Sequence, residues 1–198
     1  MRNSRIAPIA LILIIVAIAI AALISLARTI FFPGSTQTTS QSDTSQQALL
    51  DTAINHSVAM TVRGPIVGNE NFHSYTMTIS PTNRTLTGYT GYTNTPIDQG
   101  INLGNTPSAY EQFVYALDKV NYASGTELTG SSNDLRGVCA TGDVYQFSIL
   151  KDNKSVKTLW TSTCGNAKGS LSAKLASLTL LFDVQIPQSQ VYISNITL

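Results

Sequence analysis

The chain opens on an unbroken apolar run and then passes into segments where apolar and polar residues alternate. From Ile9 to Ala27, nineteen residues carry one polar member, Ser25. At about 1.5 Å per residue such a helix spans about 28 Å, close to the hydrocarbon thickness of a bilayer. The pattern predicts a transmembrane helix over residues 6–27, within an anchor segment 1–32. Arg2 and Arg5 flank one end with no acid nearby, and Arg28 flanks the other. The positive-inside rule then places the N-terminus in the cytoplasm and the rest of the chain outside it. The run is longer than the apolar core of a cleaved signal peptide, so an uncleaved signal-anchor is expected. The rival cleavage site would be Ser25-Leu26-Ala27. Residues 33–47, PGSTQTTSQSDTSQQ, contain no apolar side chain and are expected to form a flexible Ser/Thr/Gln-rich stalk. The folded domain is expected over 48–198.

Beyond the stalk the periodicity switches between two and 3.6. A short helix is expected over Gln47 to Ile54. Val58, Met60 and Val62 alternate with Ala59, Thr61 and Arg63, which predicts a strand. His73, Tyr75, Met77 and Ile79 alternate with Ser74, Thr76 and Thr78, and Ser80-Pro81-Thr82-Asn83 then turns the chain into a third strand, Arg84 to Thr93. Pro96 to Asn105 reads as loop. Ser108 and Glu111 have capping-box spacing, and Tyr110, Phe113, Val114, Leu117 and Val120 follow at helical spacing. After a polar stretch, Val144 to Leu150 and Ser155 to Thr161 alternate around an Asp152-Asn153 turn, with Val156, Thr158 and Trp160 on one face. A helix from about Ser170 carries Leu171, Leu175, Leu178 and Phe182, Pro187 stops it, and Val191 to Leu198 reads as a last edge strand. Hairpins followed by helices predict an α+β fold, an antiparallel sheet with two helices on one face.

Composition sharpens this plan. Charged residues make up only 12% and the net charge is +1, so no nucleic-acid footprint is present. Cys139 and Cys164 flank the second hairpin, and export would place them where disulfides form. A structural disulfide at the hairpin's open end is the expectation. Two lone cysteines fall short of a zinc set, and neither His56 nor His73 has the spacing of a base for a reactive thiol. His56 is expected at an exposed strand start and His73 half-buried. No cofactor, metal or catalytic constellation is expected.

Two surfaces stand as binding candidates. Thr87-Gly88-Tyr89-Thr90-Gly91-Tyr92-Thr93 sets glycines beside Tyr89 and Tyr92, which suits display of aromatic rings to a sugar or polymer. Lys151, Lys154 and Lys157 cluster in the second hairpin, with Lys168 and Lys174 beyond it, and suit anionic envelope polymers or lipid headgroups. The alternative for each is a plain edge strand or solvated face.

The order strand, hairpin, helix, hairpin, helix resembles small exported bacterial domains of unknown function. With Arg63 to Gly68 after the first strand and Tyr145-Gln146-Phe147 after a long loop, it resembles emfourin, an inhibitor of thermolysin-type metalloproteases, over roughly Val58 to Ile186. Pro65 stands where a second glycine is expected, and no inhibitory residue carries over. The sequence therefore points to a membrane-anchored, noncatalytic extracytoplasmic domain that binds a cell-envelope polymer or protein. The resemblance implies the alternative, an inhibitor of an extracellular protease. An enzyme with dispersed catalytic residues is the third reading.

Overall fold

A computed structural model describes residues 41–196 apart from 166 and 168, with side chains from residue 45. The expected anchor and the stalk as far as residue 40 lie outside the described residues. No helix among the described residues is long and apolar enough to cross a membrane.

The architecture is α+β, built on one seven-stranded antiparallel sheet. Helix α1 (Gln41–Leu50) leads into β1 (His56–Arg63), β2 (His73–Ile79), β3 (Asn83–Thr90), β4 (Thr95–Pro96) and β5 (Ile101–Gly104). Helix α2 (Pro107–Lys119), strands β6 (Val144–Lys151) and β7 (Lys154–Ser162), and helices α3 (Leu175–Asp183) and α4 (Ser189–Ile196) follow. The strand order is β4-β3-β2-β1-β6-β7, with β5 also on β3. The first strand is thus central, hydrogen-bonded to β2 on one side and β6 on the other.

The period-two pattern decides the two faces. Val58, Met60 and Val62 join Tyr75, Met77, Ile79, Leu86, Phe147 and Ile149 in one dry layer under the helices. Tyr110, Phe113, Val114 and Leu117 of α2, and Leu178 and Phe182 of α3, close it. Phe113 and Phe182 meet edge to face at 5.4 Å. All four helices contribute, since Leu49 of α1 and Ile196 of α4 belong to the same core. Tyr122 sits in it with its hydroxyl 3.0 Å from Ala59 O and 2.9 Å from Ser148 O, a facing pair on β1 and β6.

Several expected boundaries are corrected. Helix α1 begins at Gln41 rather than Gln47 and ends at Leu50, so it covers the end of the segment read as stalk. Ser45 is buried, and Gln46 Nε2 donates to Asp118 Oδ1 at 2.8 Å. The Ser108/Glu111 capping box does not form. Pro107 suits the first helical turn, so Thr106 becomes the cap and its Oγ1 accepts from Ala109 N at 3.2 Å. Strands β4 and β5 replace much of the expected loop and pair along β3. Leu171 lies before α3, where its N–H donates to Trp160 O and its backbone bridges Gly125. The expected last strand is helix α4. Gln188 takes a left-handed φ of 68°, the chain reverses, and Tyr192 and Ile196 face the sheet one turn apart. Gly88 admits them, since a Cβ there would stand 3.0 Å from the Tyr192 hydroxyl.

The second hairpin has the expected turn. Asp152 and Asn153 have φ of 52° and 59°, the left-handed pair of a two-residue hairpin. A register shift between Ile149 and Leu150 then leaves Val156 outside the ladder and turns Lys157 inward.

Candidate functional site

The outer face of the sheet is read most simply as rows of facing side chains. One row runs Trp160, Gln146, Thr61, Thr76, Thr87 across β7, β6, β1, β2 and β3. The next runs Ser162, Val144, Arg63, Ser74, Tyr89, Pro96. These rows have two different fates. At the β6–β7 end the chain between α2 and β6 folds over the face. Leu128, Leu135, Val138 and Cys139 pack there with Val144, Trp160 and Cys164. A disulfide joins Cys139 to Cys164, with Cα atoms 5.6 Å apart. The expected bridge is present, with both cysteines flanking the hairpin as expected, and Cys139 belongs to the covering segment. The bridge therefore clamps this cover to the end of the hairpin.

Over β1, β2 and β3 the same face is open. A cleft of about 460 Å³ is lined by Thr61, Arg63, Ser74, Thr76, Tyr89, Tyr92, Asn94 and Gln146. Thr61 and Thr76 hydroxyls share a 2.9 Å hydrogen bond across the strands. A smaller cavity of about 150 Å³ adjoins it, with Ile66, Phe72, Leu135, Val138 and Val144 among its apolar walls. Arg63 and Tyr92 belong to both walls, so the two cavities meet at these residues.

The junction is held from below. Phe72 is buried and stacks on Tyr92 with centroids 4.1 Å apart and planes at 16°. The Arg63 guanidinium lies 5.7 Å from the centroid of the same Phe72 ring. Gly91 takes φ of 70° and turns the chain, so that Tyr92 N donates to Asn69 Oδ1 at 3.0 Å and Tyr92 Oη to Val67 O at 2.8 Å. Tyr92 is thus fixed rather than free to swing.

Charge is unevenly distributed. Arg136, on the rim of the smaller cavity, is paired with Asp134. Its hydrogen bonds hold the Asp134 carboxyl down to about 2, so that pair carries no net charge at neutral pH. Arg63 makes no ion pair and donates no side-chain hydrogen bond among the described residues. Among the described residues, no carboxylate lines either cavity. The cleft can therefore offer a guanidinium, hydroxyls, amides and two aromatic rings to a ligand. Among the described residues no group of three or more His, Cys, Asp or Glu side chains is placed to hold a metal.

No family model, curated protein or solved structure matches this chain.

The residues singled out from sequence separate in space. Tyr89 and Tyr92 come together in the cleft. Lys151 and Lys154 face each other at the exposed β6–β7 turn, at the other end of β6 from Val144. Lys157 is not part of a basic surface. It is buried, and its Nζ donates to Ala123 O at 2.8 Å and Gly125 O at 3.1 Å. Burial lowers its pKa, and Glu127 opposes that shift. His56 is also corrected: it is buried, with Nε2 3.4 Å from Asp51 Oδ2. His73 has the expected intermediate exposure.

Sequence reading missed Arg63, Thr61, Ser74, Thr76, Asn94 and Gln146 as a site. For Thr61, Arg63, Ser74, Thr76 and Gln146 the signal was their alternation with Met60, Val62, Tyr75, Met77 and Phe147, while Asn94 sits in a turn and had no such signal. That pattern shows which face they share. It does not show whether another layer covers them.

Proposed function

We propose that the chain is a signal-anchored, extracytoplasmic and noncatalytic binding domain, and that its ligand-contacting surface is the open cleft around Arg63 and Tyr92. The observation that carries this reading is a guanidinium left without an acceptor among the described residues, in a cleft of polar side chains and fixed aromatics. A half-exposed arginine normally finds a carboxylate or carbonyl, because its planar fork of donors is well suited to both. The cleft volume falls in the range of small-ligand sites. Extracytoplasmic display is supported by the apolar run over residues 6–27, by the Arg2/Arg5 bias and by a disulfide that fits an oxidising compartment. The partner class that fits a displayed domain is a polymer or protein of the cell envelope.

A second reading, inhibition of an extracellular protease, is favoured by the loop after β1. Ile66 and Val67 are exposed there, while Ile66 N donates to Ala140 O and Val67 O accepts from Tyr92 Oη. An exposed apolar loop held at both residues is the shape of a protease-binding segment. Loss of protease activity in proportion to added protein would favour this reading.

The envelope reading is tested by cosedimentation of the full-length chain with isolated envelope fractions. Thr76→Trp and Gln146→Trp fill the cleft from its floor and should each abolish cosedimentation, with circular dichroism unchanged. Lys154→Glu at the distant turn should not. Loss with Lys154→Glu and retention with both tryptophan variants would overturn the assignment.

A further inference from the structure

The reading of the cleft as a binding surface can be taken to a ligand class, and the following rests on that reading. We infer that the cleft takes an acidic saccharide, with its carboxylate on Arg63, its ring hydroxyls on the Thr61–Thr76–Gln146 row and an apolar substituent in the adjoining cavity.

Three observations select this class. The first is what the floor lacks. Strands β1 and β2 are paired on both sides, and so is β6, so their backbone donors and acceptors are already used. An extended peptide bound by strand addition needs a free edge. This floor offers only side-chain groups, and those groups are hydroxyls of Thr61, Ser74 and Thr76 and the amide of Gln146. Such groups both donate and accept, which matches a ligand whose polar atoms are mostly hydroxyls.

The second is charge. Of the two arginines that line the cavities, Arg63 has no carboxylate partner among the described residues, and Arg136 is already neutralised by Asp134. A planar guanidinium binds a carboxylate through two parallel hydrogen bonds. Among the described residues, no acid stands in either wall to compete with an anionic ligand for Arg63.

The third is the change of character at Arg63. One side of it is the polar cleft, and the other is the smaller cavity walled by Ile66, Phe72, Leu135 and Val138. A ligand anchored at Arg63 therefore reaches an apolar recess without leaving the cleft. An acetamido methyl or a similar small substituent beside the acidic ring suits that recess. Tyr89 and Tyr92 stand at the cleft wall, where an aromatic ring can cover the C–H face of a sugar.

The test uses the full-length chain in lipid nanodiscs and calorimetry with four probes. These are a disaccharide of N-acetylglucosamine and glucuronic acid, the same disaccharide with its carboxyl reduced to the alcohol, tetraglutamate and inorganic phosphate. The acidic disaccharide should bind about tenfold or more tightly than its reduced form, the size expected for a hydrogen bond to a charged group. Arg63→Gln should collapse that preference to near unity, and Arg63→Lys should restore part of it, since Lys keeps the charge but not the fork. The Lys variant also guards against loss through a misfolded Phe72 contact. Equal binding of the two disaccharides, tighter binding of tetraglutamate, binding of phosphate alone, or no saccharide binding would each overturn the inference. If cosedimentation with envelopes falls in Thr76→Trp but persists in Arg63→Gln, the cleft remains the binding surface and the acidic-saccharide inference fails.

Discussion

The two faces of one sheet obey the same alternation and end in opposite chemistry. The inner face is covered by four helices and is dry from Val58 to Phe182. The outer face is covered only at its β6–β7 end, where a loop and a disulfide shield Trp160. Its remaining strands present threonines, a glutamine and Arg63 to the open cleft, with Ser74 buried beneath them. Covering a face requires an apolar layer that repays its ordering. The segment between α2 and β6 has few apolar residues, Leu128, Leu135 and Val138 among them, and it covers about as much as they can bury. The open part is therefore where stability asks least of the side chains, and recognition can set them.

This contrast predicts unequal mutational costs. Phe182→Ala should destabilise by about 3–5 kcal/mol, because Phe182 is fully buried and touches Phe113, Tyr122 and Phe147. Thr76→Val on the outer face should change stability by about 1 kcal/mol or less, the worth of its hydrogen bond to Thr61. Chemical denaturation of both variants checks the pair, and equal costs would break the comparison.

The inner face also sets an alkaline limit. Burial raises the pKa of Tyr75, Tyr110 and Tyr122. A group whose folded pKa is raised contributes stability that is present below its unfolded pKa and lost as pH rises through its folded one. The unfolded value is about 10, so stability should fall progressively above about pH 10. Tyrosine absorbance should rise in two steps, exposed residues first and the buried three together with unfolding.

The disulfide comes next in size. Its loop has a sequence separation of 25 residues. Replacing Cys139 and Cys164 with Ser should therefore cost about 3 kcal/mol in the chain-entropy account. Trp160 is the single tryptophan and reports on the covered patch alone. Its emission should shift to the red in the double variant at denaturant concentrations where far-ultraviolet dichroism is still native. Simultaneous loss of both signals would show that cover and core are one cooperative unit.

An effect as small as that of Thr76→Val lies in α1. Starting the chain at Ala48 removes Ser45 and the Gln46–Asp118 hydrogen bond, and should cost about 1 kcal/mol. No loss would restore the view that nothing before Ala48 packs on the domain.

Much of the sheet was legible because alternation is a local signal. Strands β1, β2, β6 and β7, the Asp152-Asn153 turn and the buried stripe of α2 follow from spacing alone. What failed was local competition or distant context. Val191, Tyr192 and Ile193 read as a strand, yet the left-handed Gln188 and the glycine at position 88 let them form a helix against β3. Thr106 and Pro107 make a stronger helix start than Ser108, because Pro107 fits the first turn and Thr106 caps it. Lys157 reads as a surface cation until the register shift at Leu150 turns it inward. For the site, Tyr89 and Tyr92 were legible as displayed aromatics. Arg63 was not, because its lack of a partner is a property of four strands and a loop together.

The central claim is that the open outer face, rather than the exposed outer side of the helices, meets the partner. A photo-crosslinking residue placed at Thr76, and separately at Leu180 on the solvent side of α3, tests it in cells carrying the full-length chain. The account predicts specific adducts from position 76, lost when Gln146→Trp fills the cleft, and none from position 180. Adducts from position 180 with none from position 76 would contradict it.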